Sequence, residues 1–225
     1  LLPSAYMSFE RTRPNKSVVY ALLARVKLYS SDWAQAVQYA DLVIGASSLY
    51  QLAPVSDVFL KESMGTLWQL RPQFAGANTL EAQNYTFTSV PPPTFALTPA
   101  LVSSFEVGDA RRSNWIQTVT NGVDSWYHTY KYKAVGNTGS SVEYSILFRL
   151  EELYLIRAEA KAQLDDITGA QDDLNAIRNR AGLPDTTAVT QTTLLAAILE
   201  ERGREFFTEL GHRWFDLKRT GTAST

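Results

Sequence analysis

Apolar residues follow a helical period at both ends of this chain and lose it in the middle. Val18, Leu22, Val26 and Tyr29 recur at spacings of four and three, which predicts one face of a helix. Ser30-Ser31-Asp32 breaks the period, and Asp32 is placed to cap a second helix starting at Trp33. That helix carries Trp33, Ala36, Val37, Ala40 and Ile44 on one face and stops near Gly45. Small residues at the contact predict an αα-hairpin over 14–47.

The stretch 50–142 reads differently. It holds most of the chain's prolines, including Pro91-Pro92-Pro93, and proline favours extended backbone over helix. Thr66 to Leu70 and Tyr130 to Lys133 alternate as brief strands do, and Gly136 to Ser141 is a loop. From 143 to 221 the helical period returns. Leu147, Leu150, Tyr154, Ala158 and Ala162 mark one helix; Ala170, Leu174 and Ile177 mark a second, stopped by Gly182 and Pro184. Leu194 or Leu195, Ile198 and Phe206 mark a third.

The two helical ends are related. A shift of 134 residues superposes Tyr20 on Tyr154, Ala24 on Ala158, Lys27 on Lys161, Asp32 on Asp166 and Ala36 on Ala170. A helix-turn-helix unit of about 30 residues with alanines at its contacts resembles a tetratricopeptide repeat, which must stack on neighbours to bury its apolar face. The expected fold is mainly α, with TPR-like helix-turn-helix repeats flanking an irregular, short-strand and loop-rich middle region.

Composition narrows the function. The 225 residues carry a net charge of -2 with no basic cluster, so nucleic acid is not an expected partner. No cysteine is present, which excludes thiol catalysis and disulfides. No apolar run approaches the ~20 residues of a membrane span. The two histidines, His128 and His212, lie far apart and outside metal-ligand spacing, and no phosphate-binding glycine loop or nucleophile elbow occurs, so neither cofactor nor metal is expected. The carboxylate pairs Glu151-Glu152, Asp165-Asp166, Asp172-Asp173 and Glu200-Glu201 are adjacent residues, which point about 100° apart on a helix and do not converge. An enzyme is not expected.

Two clusters remain. Glu200-Glu201-Arg202-Gly203-Arg204-Glu205, followed by Glu209, His212, Arg213, Asp216, Lys218 and Arg219, reads as a structural network with Trp214 and Phe215 packed beneath. The middle stretch is rich in aromatics, and the whole chain has 5 Trp, 11 Tyr and 10 Phe. An aromatic ring stacks on the apolar face of a sugar while amides and carboxylates bond its hydroxyls. Trp126, Tyr127, Tyr85, Asn84, Phe74 and Trp115 are therefore the candidate carbohydrate-binding residues, with Gln73, Asn78, Asn121 and Asp124 as polar neighbours. Most of these rings are expected to pack the irregular stretch onto the helices, and one or two to be exposed.

The run Ile198-Leu199-Glu200-Glu201-Arg202-Gly203-Arg204-Glu205-Phe206-Phe207, continuing to Gly211-His212-Arg213-Trp214-Phe215-Asp216-Leu217, resembles the signature of the SusD/RagB family. Arg149-Leu150-Glu151-Glu152-Leu153-Tyr154-Leu155-Ile156-Arg157-Ala158-Glu159-Ala160 and Tyr20-Ala21-Leu22-Leu23-Ala24-Arg25 are further matches. The resemblance implies a SusD-like α-α superhelix in a single domain over 1–225, cut at both ends. It also implies an outer-membrane protein exposed at the cell surface, held by a lipid anchor that this chain does not carry. Such a protein would be a non-catalytic subunit that captures oligosaccharides or polysaccharides and passes them to a TonB-dependent, SusC-like transporter. These motifs identify the fold and carry no ligand residue. A protein-interaction scaffold or a peptide-binding uptake subunit stays open beside the glycan reading. An exposed pair of rings would favour sugar, an exposed apolar patch on the helices would favour protein, and facing carboxyls in a cleft would favour an enzyme.

Overall fold

A computed structural model describes residues 2–8, 10–93 and 95–223. Leu1, Phe9, Thr94, Ser224 and Thr225, which the expected 1–225 domain includes, lie outside the described residues. Helix α1 (Lys16–Tyr29) starts where the Asn15 side chain accepts from the Val18 amide at 3.2 Å, and α2 (Trp33–Ile44) starts at Asp32, which caps Gln35. Ala21, Ala24, Ala36 and Ala40 are fully buried between them, because alanine lets two backbones approach closely. The expected face of α1 is corrected here. Val18 is buried, but Leu22 and Val26 stand about half exposed, and the contact runs instead through Ala21, Ala24 and Leu28. Both sets satisfy a helical period, and period alone does not select the face that meets a partner.

The middle stretch contains more regular structure than expected. Strand β1 (Thr66–Leu70) lies where alternation placed it. Three short helices follow: α3 (Leu80–Tyr85), α4 (Pro99–Ser103) and α5 (Ala110–Trp115), each capped by a threonine or aspartate side chain. Then come β2 (Ile116–Thr120), β3 (Ser125–Thr129) and β4 (Ser145–Arg149). The strand expected at Tyr130 to Lys133 is displaced to β3. Tyr130 has left the ladder, and its amide donates to the Trp115 carbonyl at 2.7 Å. β2 and β3 form a hairpin closed by Asn121, whose side chain accepts from the Val123 and Asp124 amides. β1 pairs antiparallel with β4, so the stretch between them leaves and returns side by side.

β4 runs without a break into α6 (Leu150–Gln163), followed by α7 (Ile167–Arg180), α8 (Gln191–Glu205) and α9 (His212–Arg219). The repeat is visible bond by bond. α6 and α7 each begin 134 residues after α1 and α2. Ser31 and Asp165 occupy the same left-handed turn, at φ 58° and 64°. The Asp32 amide donates to Lys27 at 2.9 Å and the Asp166 amide to Lys161 at 3.0 Å. One apolar cluster joins α1, α2 and α6, and a second joins α6, α7 and α8.

The charged run of α8 is a buried network, as its interleaved signs predict. Arg111 clamps Asp109 through two bonds and reaches Glu201 at 2.5 Å and Glu205 at 2.9 Å. Arg149 and Arg180 also meet Glu205, at 2.5 and 2.7 Å. Arg202 pairs with Asp216. Trp214 and Phe215 do not pack beneath it: they are 56% and 50% exposed. α9 buries His212 and Asp216, one turn apart, and this leaves the two rings between them on the outer side.

Candidate functional site

α8 ends at Glu205, and the chain then turns sharply. Thr208, Leu210 and Gly211 take φ values of 59°, 45° and 73°. A β-branched residue there is strained by about 1–3 kcal/mol and persists only if its surroundings hold it. Lys131 does so, donating to the carbonyls of Glu205 at 2.7 Å and Phe207 at 2.8 Å and to Glu209 at 2.5 Å. Its ammonium lies 4.0 Å from the Phe207 ring centroid and 4.9 Å from that of Trp115. Burial pushes Lys131 down to about 8, with Glu209 pulling the other way, so the cation persists at neutral pH.

The pinned turn forms one wall of a two-lobed cleft. One lobe of about 470 Å³ is lined by Glu81, Tyr85, Tyr132, Ile146 and the turn. The other, about 290 Å³, is lined by Tyr85, Phe95, Leu97, His128 and Thr208. Tyr85 and Thr208 belong to both. Tyr85 is set there by α3, which Thr79 caps and which Ala82 anchors in the core. Phe95 is 66% exposed. Glu81 accepts from the Ser145 hydroxyl at 2.8 Å through one oxygen, and its other oxygen has no partner among the described residues. Glu209 is fully engaged by Lys131 and Arg149. Burial would raise its carboxyl, but Arg149 and Lys131 outweigh this and hold it below the usual range. His128 packs against Phe87, with Nδ1 2.8 Å from the Thr129 carbonyl. Among the described residues no group of His, Asp and Glu is arranged to hold a metal.

Of the six candidate residues, Tyr85 alone lines the cleft, with Asn84 exposed beside it on α3. Trp115 is corrected: it is 1% exposed, its indole donates to the Val55 carbonyl at 2.8 Å, and no sugar can reach it. Trp126 and Tyr127 are adjacent on β3 and therefore point to opposite faces, so they do not make one platform. Tyr127 packs on the core under Arg112, 5.6 Å from its ring. Phe74 is 69% exposed on the loop after β1, outside the cleft lining. Asn78 is spent on backbone groups and the Thr138 hydroxyl, and the Asn121 side-chain oxygen is taken by the Val123 and Asp124 amides of the hairpin. Glu81, Phe95, Thr208 and Glu209 are cleft residues that sequence reasoning did not bring together. Gly211 signals a turn near them, but nothing local marks Thr208 as left-handed.

Comparison with known proteins supplies the relations. A profile of the SusD family matches residues 101–225. Over 126 residues the chain is 36% identical to the starch-binding protein SusD of Bacteroides thetaiotaomicron, a match covering 53% of this chain and 22% of that protein. A SusD-like carbohydrate binding protein from Bacteroides vulgatus superposes with a TM-score of 0.78 at 25% identity, covering 98% of this chain and 48% of that one. Surface glycan-binding protein A from Bacteroides thetaiotaomicron gives a TM-score of 0.80 at 22% identity, covering 99% and 58%, and shows the fold alone. The chain thus spans about half the length of these solved structures.

Proposed function

The chain belongs to the SusD family, and from that premise we propose that it is a non-catalytic glycan-binding subunit whose cleft receives sugar units of an oligosaccharide. The observation that carries this is Tyr85 and Phe95 on one lobe, beside the free Glu81 oxygen and the Thr208 hydroxyl. Rings supply faces for sugar stacking, and the oxygens meet its hydroxyls. The names of the relatives, starch-binding and carbohydrate binding, support the same ligand class. A binding role also fits the carboxylates: Glu209 is neutralised by Arg149 and Lys131 and is not free to pair with Glu81 as acid and base.

The test is a polysaccharide retardation gel, with calorimetry on any glycan that retards the chain. Tyr85→Ala should weaken binding by about 1 kcal/mol or more, with Asn84→Ala a smaller loss. Equal affinity in Tyr85→Ala and parent would remove the cleft from the ligand site. Trp126 and Phe74, which stand outside the cleft, serve as comparison variants.

The wider role we propose is delivery of the glycan to a TonB-dependent transporter at the outer membrane. No helix among the described residues is long and apolar enough to cross a membrane. Co-purification of the full-length protein with such a transporter tests this. A second reading, a protein-docking scaffold, is favoured by one observation: Val19, Leu22 and Val26 form an exposed apolar stripe on α1. Glycan binding untouched by Leu22→Glu, with transporter co-purification lost, would give that stripe the docking role.

A further inference from the structure

The two lobes of the cleft meet at a neck of about 10 Å³, near the smallest space that holds one water. Tyr85 and Thr208 line it together with both lobes. Thr129 continues from it into the lobe of His128, and Glu81, Tyr132 and Glu209 continue into the other. The fold does not use up its polar groups. Thr129 is 7% exposed, and its Oγ1 makes no hydrogen bond with any described residue. The hydroxyl of Tyr132, a residue 8% exposed, accepts from the Ile146 amide at 2.9 Å, and its own proton has no acceptor among the described residues. Burial raises that phenol well above its ordinary value, so it stays a donor across the neutral range. Glu209 Oε2 accepts from Arg149 Nε and keeps room for a second donor. Lys131, by contrast, spends its three protons on Glu205, Phe207 and Glu209.

A buried hydroxyl with no partner is costly, and valine has the shape of threonine without that cost. Packing alone would be better served by valine at 129. The neck calls instead for one small group that both accepts and donates, taking a proton from Tyr132 and giving one to Glu209 Oε2 or Thr129. Water is such a group, and so is an alcohol. A sugar ring is too large to enter, and a hydroxyl bonded directly to the ring would bring the ring with it. The primary hydroxyl of a hexose stands one carbon further out on a rotatable bond. It can reach the neck while its ring lies in the lobe beside Tyr85.

We propose that the neck is a hydroxyl-sized subsite, which holds one water in the free protein and takes the primary hydroxyl of a hexose unit from the bound glycan. The proposal rests on the glycan reading above and deepens it to a choice of hexose over pentose. Its first test is a high-resolution crystal structure of the whole chain without glycan. An ordered water should lie within about 3.2 Å of Thr129 Oγ1 and Tyr132 Oη, and should be lost in Thr129→Val. A neck with no ordered water would overturn the subsite. The second test is calorimetry with maltohexaose, cellohexaose and xylohexaose, of which cellohexaose and xylohexaose share one linkage and differ only in the primary hydroxymethyl arm. A hexose oligomer should bind about tenfold tighter than xylohexaose. In Thr129→Val, shown to be folded by its melting curve, the two should come to within about threefold. Xylohexaose bound as tightly as the hexose oligomers, or a difference that survives Thr129→Val, would overturn the subsite, and Tyr85-dependent binding would then leave the cleft reading intact. Failure of all three to bind at millimolar concentration would overturn the sugar occupant of the neck, while retardation by another glycan would keep the cleft reading.

Discussion

α1 and α6 are the same helix twice in backbone terms, with equal lengths, matching turns and the same following cap, yet they bury opposite amounts of apolar surface. Leu153, Ile156 and Ala160 of α6 are fully buried against α2. Their counterparts 134 residues earlier, Val19, Leu22 and Val26, are 40%, 48% and 50% exposed. The difference teaches which properties are local. Helix length and turn geometry copy faithfully, because a cap and a left-handed residue fix them within a few positions. Burial does not copy, because it depends on which element lies alongside. Buried charge separates the two helices as well: Glu151, Glu152 and Glu159 of α6 replace Ser17, Val18 and Arg25 of α1, and Arg25 clamps Glu152 across the repeat at 2.6 Å.

The largest test of this contrast removes the charge that holds the second hairpin to its surroundings. Arg149→Ala takes one of three guanidinia from buried Glu205 and leaves buried Glu209 with Lys131 alone, and should cost about 3–5 kcal/mol in chemical denaturation. A loss under ~1 kcal/mol would mean that the network is satisfied without it. Next comes the stripe itself. Ile156→Ala should cost about 2–5 kcal/mol, whereas Leu22→Ala, its exposed counterpart, should stay within ~0.5 kcal/mol. Equal losses at the two sites would break the comparison. Smaller still are the caps: Asp32→Ala should lower the melting temperature slightly more than Asp166→Ala, since each caps one amide in the same turn but Asp32 also pairs with Lys27 at 3.0 Å. The finest test is pH. His212 lies between the repeats, near Glu152 and Arg25. Burial holds its imidazole below the ordinary 6.5, with Arg202 and Arg25 acting the same way against Glu152 and Glu209. The unfolded chain therefore takes up the proton first. This contribution to stability is complete above pH 6.5 and declines as pH falls through the folded value. A melting curve followed from pH 7.5 downward should show the decline, and His212→Gln should flatten it.

Legibility in the sequence followed the same division between local and long-range causes. Asp32, Asp166, Gly182 and the alternation at Thr66 to Leu70 each act within a few residues, and the helices, turns and β1 are where they point. The inner face of α1, the exposure of Trp214 and the burial of Trp115 depend on residues far along the chain, such as Val55 and Lys131. The cleft lay hidden for that reason. Tyr85 could be singled out as an aromatic in an irregular stretch, but Thr208 joins it only after Lys131 folds across the end of α8. The short helices α3, α4 and α5 escaped because five or six residues do not display a period.

The antiparallel closure of β1 on β4 has a consequence for how this protein can vary. Everything from Arg71 to Tyr144 is an excursion whose two ends are stitched together before the second repeat begins. Lengthening such an excursion costs only slowly growing chain entropy. Arg111 on Glu201 and Glu205, Lys131 on the carbonyls of Glu205 and Phe207, Arg178 on Glu106 and Arg204 on the Ser104 carbonyl are fasteners that tack it to the helical frame. Between those fasteners and the stitched ends, the hairpin tip at Asn121 to Asp124 and the segment carrying Phe95 could be exchanged for others without disturbing the frame. The architecture is that of a loom with a replaceable panel: its posts stay fixed while the surface offered to a ligand is rewoven.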